Sequence, residues 1–515
     1  MVANHPFGIL DGLVLDALLF DVRQDMKILT NSLVARAAEI HERCIPVDVF
    51  RPATSSVNLR AVRRAREWLN DGHGIAVFPA GEVSHWRRES RGVSDPPWSP
   101  LAARFALHAR ATVIPIYFAG SNSVAFQLAG LVHPRMRTAR LPRELLNKQG
   151  STIEVHIGAP ITPSEFEKQG SAENAIAYLR ARTYMLRHRK PTRGSVRSSA
   201  PRVRTPSTIP GETSGLAAEL DRLAKAGGKV LENNTYIVLA EQGKNIPILL
   251  REIGRLRELT FRAAGEGTGK GLDLDSFDPY YTHLVLWHKQ KGCITGGYRL
   301  AWTEDVLPSR GIQGLYTSGL FRFAAGFFET LGPAVELGRT FIRIEFQKDY
   351  APLMLLWQAI GRLIAARPHA PILFGPVSIS ASYSRAAIEL MVEYLRQRRL
   401  RPDLARLVIA RRPFRSRLTR DNEIRMVVAC LREIEDLSTL LADMEDGTDV
   451  PVLVRQYLRL GGRIAAFSVD RNFSNVLDGL LVVDLRETPS KLLSKYMGAE
   501  AAAAFLRQAS GARSA

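Results

Sequence analysis

Cysteine is scarce in this 515-residue chain. Its three residues, Cys44, Cys293 and Cys430, lie far apart and form no CxxC pair. That excludes a disulfide framework and a cysteine-based zinc site, and it suits a reducing cytoplasm. Long apolar runs are missing too. Leu13 to Phe20 and Pro352 to Ala366 come nearest, and the second is broken by Gln358 and Arg362. Neither reaches the eighteen or so apolar residues that a spanning helix needs, so no membrane span and no signal peptide are expected. Acidic residues are in deficit, 51 Asp and Glu against 70 Lys and Arg, for a net charge of +19. A chain of that charge attracts anionic partners: nucleic acid, anionic lipid or an acidic carrier protein.

What is present is enough for more than one domain, with 46% hydrophobic residues. One break stands out. Arg187 to Gly215, RHRKPTRGSVRSSAPRVRTPSTIPGETSG, is rich in Pro, Ser and Arg and has no apolar face, so it reads as a linker. The expected organisation is a domain over residues 1–186, a basic linker over 187–215 and a second domain over 216–515. Ahead of the linker, GIAVFPAG (74–81), ATVIPIYFAG (111–120) and TIEVHIGAP (152–160) alternate with helical stretches at Asn58–Asn70 and Leu101–Arg110. Such alternation predicts an α/β domain with a largely parallel sheet. Beyond the linker, THLVLWHKQKGCITGGYRLAW (282–302) reads as a hairpin. Helical stretches follow at 321–328, 352–366 and 384–397, then strand in GGRIAAFSVD and LLVVDL, which together predict an α+β domain. A basic run, Arg396 to Arg420, again points to an anionic partner or to a solvated face.

The first candidate chemistry lies in NHPFGILDG (4–12) and VFPAGEVS (77–84). Taken alone, the first is a loop with a solvated His5 and a capping Asp11. The second is a strand-ending turn whose amides can hold an anion. Together, in this order and with VIPIYFAG following, they resemble the glycerolipid (lysophosphatidate-type) acyltransferase family over roughly residues 3–165. The resemblance implies that His5 is a general base oriented by Asp11. It also implies that Asn4 and the Phe78, Pro79, Gly81, Glu82 and Ser84 box bind the acceptor's phosphate or polar head. A neutral imidazole held by a carboxylate is suited to take a hydroxyl proton at neutral pH. The sequence departs from the family at two points. Five residues separate His5 from Asp11 where four are usual, and Gly8 is the one able to absorb the extra position. Ala80 stands where the family has an acid, with Glu82 two residues on, which implies an acceptor other than a simple phosphorylated glycerol. The family carries helices ahead of its His box, whereas this sequence begins at the box, so a truncated start is expected.

In the second half, FRAAGEGTGKGLDLDSFDPYYTHLVLW, ITGGYRL, GLYTSGLF and VELGRTFIRIEFQ are similar to the N-acyltransferases of ornithine-lipid synthesis. That family is related to the acetyltransferase and acyl-homoserine-lactone synthase fold. PVLVRQYLRLGGRIAAFSVDRNFSNVLDGLLVVDL resembles the tail of hemolysin-like members. Amine acylation by a thioester needs a base, for which Glu336 is the first candidate and Asp278 the second. Arg299 and Arg339 are suited to a carboxylate or a pantetheine phosphate. Glu336 and Arg339 also have a plainer reading, an i,i+3 ion pair at a helix end. Glu266 belongs either to a mobile loop over the acyl chain or to a simple turn.

The two resemblances together imply a bifunctional acyltransferase without a bound cofactor or metal. The second domain would N-acylate an amino acid, ornithine foremost, from an acyl thioester of acyl carrier protein or coenzyme A. The first would O-acylate the resulting lyso-lipid. Acyl carrier protein and an anionic membrane surface are the expected partners, nucleic acid is not, and the inner face of the cytoplasmic membrane is the expected place. The alternative is that only one of the two domains is active.

Overall fold

The computed structural model describes residues 1–32, 35, 40–48, 55–90, 92–190, 215–416 and 422–511. The chain forms two compact units that do not follow a single cut. One takes Met1–Ser195 together with Arg385–Glu393 and Ser416–Asp449; the other takes Val196–Ser384, Tyr394–Arg415 and Val450–Ala515. This differs from an undivided domain over 216–515. The reason is chemical: Arg182 is fully buried in the first unit, and its partner at 2.5 Å is Asp443. An isolated buried guanidinium is costly, so the segment that carries its carboxylate packs with it. Most of the expected linker, residues 191–214, lies outside the described residues. Its first residues are packed rather than linking: the Lys190 amide donates to Met444 O at 2.9 Å and its ammonium pairs with Glu445.

The first unit is built on strands β1 (Val2–Ala3), β2 (Met26–Asn31), β3 (Cys44–Val47), β4 (Gly74–Ala76), β7 (Pro115–Phe118) and β8 (Val155–Ile157). β3, β2 and β4 pair in parallel; β1 pairs in parallel with β7, and β8 closes the edge antiparallel. The Val2–Val77 bridge joins the two groups, so the sheet is largely parallel, as the strand–helix alternation predicts. A short hairpin, β5 (His85–Arg87) and β6 (Gly92–Ser94), stands apart. Helices α1 (Ile9–Phe20), α2 (Ser56–Asn70), α3 (Leu101–His108), α4 (Val124–Val132), α5 (Pro134–Ala139), α6 (Leu141–Asn147), α7 (Pro163–Glu167) and α8 (Ala172–Met185) complete this part. Leu15 and Leu19 of α1 pack with Ala3, Ile28, Ala76, Ile116 and Phe118 in a core under the sheet.

The second unit holds an eight-stranded sheet, with β9 (Lys229–Glu232), β10 (Tyr236–Gln242), β11 (Thr282–His288), β12 (Cys293–Trp302), β14 (Ala334–Ile342), β15 (Ile372–Ile379), β17 (Arg463–Asp470) and β18 (Val476–Asp484). Their spatial order is β17-β18-β15-β14-β12-β11-β10-β9. The hairpin expected at 282–302 is β11–β12. The expected helix over 321–328 is instead strand β13 (Phe321–Phe323), paired with β16 (Val408–Ala410), followed by a helix at Phe327–Leu331. The aromatic run misleads because the Gly326 turn (φ 85) separates two short elements.

One feature of this sheet shapes everything near it. β14 and β15 are parallel and share only three pairs, Ala334–Ile372, Val335–Leu373 and Glu336–Phe374. Past that point β14 continues with β12 as far as Ile342, and β15 continues with β18 as far as Ile379. The strands fork. At the apex Gly375 lies so close to β14 that a Cβ there would sit 2.1 Å from the Leu337 carbonyl oxygen. Among the described residues, no helix is long and apolar enough to cross a membrane.

Candidate functional sites

In the first unit, β1 ends at Ala3 and the chain turns through residues 4 to 8 into α1. Asn4 is buried and bonded twice to the backbone of Phe118: its amide nitrogen donates to the carbonyl at 3.0 Å, and its oxygen accepts from the amide at 2.7 Å. It therefore extends the β1–β7 pairing. His5 follows, with Nδ1 at 2.9 Å from Asp11 Oδ2. Gly8 makes this possible despite the added residue. Its φ of 85° folds the loop back, and the Phe7 and Gly8 amides both donate to Asp11 Oδ2 at 2.9 Å. A side chain on Gly8 would also press on Leu141 and Val83, at 3.0 and 3.1 Å. Asp11 is buried in the first turn of α1; burial pushes its carboxyl pKa up, against the pull of His5 and the two amides. The imidazole stacks on Phe78 at 4.4 Å, and Nε2 is the nitrogen left for a substrate hydroxyl.

The Phe78–Ser84 box stands beside it, but with its donors turned inward. The Gly81 amide closes a turn on Phe78 O at 3.1 Å, and the Ser84 amide donates to His5 O at 2.8 Å. The Ser84 hydroxyl donates to Asp95. Pro79 O accepts from the Ser99 amide at 2.9 Å, and Glu82 pairs with Arg137 at 2.9 Å. The Gly81 amide thus closes its own turn, while the Ser84 donors brace the His5 loop. Asp95 is its hub: Oδ1 also accepts the His5 amide at 3.2 Å, and Oδ2 accepts Trp98 Nε1 at 2.8 Å. Reading the sequence did not single out Asp95. The buried-aromatic context of SDPPW (94–98) was its one signal.

In the second unit the expected residues gather around a network of buried charge. Asp278 accepts Arg257 and Arg299 on Oδ1, each at 2.9 Å, and the Asp275 amide on Oδ2 at 2.7 Å. Arg299 also reaches Asp275 at 2.7 Å, and Arg257 reaches Asp273 at 3.0 Å. Although burial acts to raise its pKa, the Arg299 and Arg257 guanidinium groups hold the Asp278 carboxyl well below the usual range. So fixed an anion is a poor base. Burial likewise lowers His283, packed beside Asp278, to about 4.

Glu336 lies on β14 at the fork. Oε2 accepts from the Tyr281 hydroxyl and the Tyr316 amide (3.0 Å); Oε1 accepts from the Thr317 amide (2.8 Å) and hydroxyl (2.5 Å). A carboxylate has about four acceptor sites, and all are occupied. The geometry makes Glu336 the anchor of the 316–319 turn and leaves no lone pair for a substrate proton. Its plainer reading, an ion pair with Arg339 on a helix, fails as well, because both residues lie on a strand.

Arg339 has φ 51°, a left-handed conformation rare for a residue with a side chain. It is held by Asp273 at 3.2 Å and between the rings of Tyr316 and Phe473, each 4.8 Å away. Asp478, which the motifs do not mark, lies on β18, across β15 from the fork, within reach of the Arg339 charge. Asp478 is buried on β18, accepts the Ser378 hydroxyl of β15 at 2.7 Å, and is pushed up to about 7 by burial. Glu266 is also raised to about 7 by burial. Its loop is fastened, since Glu258 accepts from the Thr268 and Gly269 amides at 3.0 Å each. The second unit thus buries two carboxyls, Asp478 and Glu266, that can change protonation near neutral pH.

The second unit's buried carboxyls and the His–Asp pair of the first are the two candidate sites. Residues 1–191 match the Acyltransferase family and residues 256–358 the Acetyltransferase (GNAT) domain. A Glycine N(alpha)-acyltransferase of Bacteroides thetaiotaomicron is 33% identical over 272 residues, 50% of this chain and 79% of the relative. A Lyso-glycine lipid O-acyltransferase of the same organism is 25% identical over 194 residues, 36% of this chain and 68% of the relative. An L-ornithine N(alpha)-acyltransferase of Rhodobacter capsulatus is 27% identical over 262 residues, 47% of this chain and 88% of the relative. No solved structure matches the chain significantly. The protein is an enzyme that transfers acyl groups. It belongs to the N(alpha)-acyltransferase family represented by the Bacteroides thetaiotaomicron relative.

Proposed function

We propose that the chain builds a diacylated aminolipid in two steps. In the second unit, the α-amine of an amino acid attacks a 3-hydroxyacyl thioester; the C–N bond forms, the C–S bond breaks, and the thiol leaves. In the first unit, the 3-hydroxyl of that product attacks a second thioester to give the ester. The observation that carries this reading is that one chain matches two separate proteins of one organism, one named for N-acylation of glycine and one for O-acylation of a lyso-lipid. Consecutive reactions on one lipid give such a fusion a purpose.

For the first unit, His5 is the base: Nδ1 faces Asp11 at 2.9 Å, so Nε2 is free to take the hydroxyl proton and pass it to the leaving thiolate. For the second, the fork between β14 and β15 leaves strand edges suited to the amides of a phosphopantetheine arm. Asp478 is the group best suited to accept the ammonium proton, because Glu336 and Asp278 are saturated by other partners. The Arg299–Arg339 region fits the amino acid's carboxylate. The charge of +19 suits an anionic donor, acyl carrier protein or coenzyme A, and a peripheral place on the inner face of the cytoplasmic membrane. Ornithine is the expected amine. Glycine is a second reading, favoured by the higher identity of the glycine relative, 33% against 27%. Lipid mass spectrometry of a host expressing the chain tests both: a new diacylated lipid with an ornithine or a glycine head group is expected, and an unchanged lipid profile would contradict the function.

A further inference from the structure

Helix α4 reads VAFQLAGLV and carries no charged residue. Phe126 and Ala129 face inward and are buried. On the opposite side, where a helix of a water-soluble domain normally carries polar residues, Val124 is 74% exposed, Leu128 57%, Leu131 62% and Val132 75%. Met136 of α5 and Trp86 at the β5–β6 hairpin are exposed as well. These are not scattered residues. Val124, Leu128, Leu131 and Val132 follow the i, i+4, i+7, i+8 spacing of one helix face, and Gln127 of α4 accepts the Trp86 amide at 2.9 Å. The helix is also held firmly. Its N-cap Ser123 accepts from the Phe126 amide, and the buried Glu144 accepts from Ser123 twice, at 3.0 and 2.5 Å.

We propose that this face is the element by which the first unit inserts into an anionic bilayer, with the aliphatic residues of α4 among the acyl chains and Trp86 at the headgroup level. The proposal rests on the lipid-acceptor reading above and deepens it. Charge complementarity selects the occupant. Arg88, between β5 and β6, and Arg143 of α6 are exposed basic side chains of the kind that lipid phosphates attract. The position suits the reaction too. Leu141, at the start of the next helix, packs over Gly8 of the His5 loop, and Arg137 holds Glu82 of the neighbouring box. A lyso-lipid leaving the bilayer at α4 would therefore meet the His5 loop first.

The test is flotation of the full chain with vesicles rich in phosphatidylglycerol, comparing wild type with Leu128→Gln/Leu131→Gln. Glutamine keeps both helix propensity and net charge, so the comparison reads apolar insertion alone. Loss of two leucines that would insert among the acyl chains should weaken binding about tenfold or more. Val124→Ser/Val132→Ser serves as a second variant if the first is poorly soluble, and acylation of a short-chain, water-soluble acceptor should be unchanged in both. That acceptor separates the two ideas: its acylation without any effect of the variants on flotation would overturn the insertion face while leaving the enzyme reading intact. Unchanged vesicle binding, or a dimer that dissociates in the variant while vesicle binding persists, would overturn the proposal; the latter would assign the face to a second copy.

Discussion

The two candidate sites are assembled from the chain in different ways. In the first unit, His5 and Asp11 lie six positions apart and meet across one turn, so the pair is nearly complete within residues 4 to 11. In the second unit, Glu336 is held by Tyr281, 55 residues away, and Asp478 accepts from Ser378, 100 residues away. A short motif brings its own geometry. A strand fork has to be assembled by the sheet. The surroundings differ accordingly: His5 is partly exposed, and the second unit buries carboxyls whose protonation changes near neutrality.

That contrast is sharpened first by its largest effect. His5→Ala should slow O-acylation by about a hundred- to ten-thousand-fold, as loss of a general base typically does, while N-acylation measured in the same preparation stays unchanged. In the second site the prediction divides two carboxylates. Asp478→Asn should slow N-acylation by about a hundredfold without loss of fold. Glu336→Gln should instead loosen the 316–319 turn, seen as raised amide exchange at Tyr316 and Thr317. If Glu336→Gln kept those amides protected while abolishing N-acylation, Glu336 would be the base after all.

The pH dependence follows from the same groups. With Asp478 and Glu266 raised to about 7, N-acylation should fall about tenfold per pH unit below 7, as the acceptor becomes protonated. The sign for stability is opposite to that for activity. A carboxyl whose folded pKa lies above its unfolded value of roughly 4 destabilises the fold progressively as pH rises from about 4 to 7, and the full cost is present above 7. At pH 8, therefore, Asp478→Asn should melt a few degrees higher than wild type, while at about pH 4 the two should be nearly equal. A lower melting temperature at pH 8 would mean the ionised carboxylate is well paired in the folded state.

These results also locate what could be read without a structure. The alternation of strand and helix, the β11–β12 hairpin and the His5–Asp11 pair were legible because each depends on neighbours close in sequence. Three things were not. The second unit's carboxylates were ranked by motif, but Glu336 is saturated by a turn 20 residues upstream, which no spacing rule reveals. Asp478 sits in a hydrophobic strand, VLDGLLVVD, where a single acid reads as an edge residue; its burial depends on β15 and β17 packing on either side. The unit boundary was placed by composition alone, whereas Asp443 belongs with Arg182 across 261 residues. Asp443→Ala should accordingly destabilise the first unit by about 3–5 kcal/mol, the cost of leaving a buried charge unpaired, and residues 1–190 expressed alone should unfold at a lower temperature than the same segment in the whole chain.

The central claim is that one chain performs two acyl transfers in order, each with its own base. It is tested most directly by product analysis of His5→Ala and Asp478→Asn, supplied with amino acid and both acyl thioesters. His5→Ala should accumulate the mono-acylated lyso-lipid. Asp478→Asn should make almost none, yet should convert added lyso-lipid to the diacylated product at the wild-type rate. Diacylated lipid formed by His5→Ala at an undiminished rate, or failure of Asp478→Asn to use added lyso-lipid, would contradict the account.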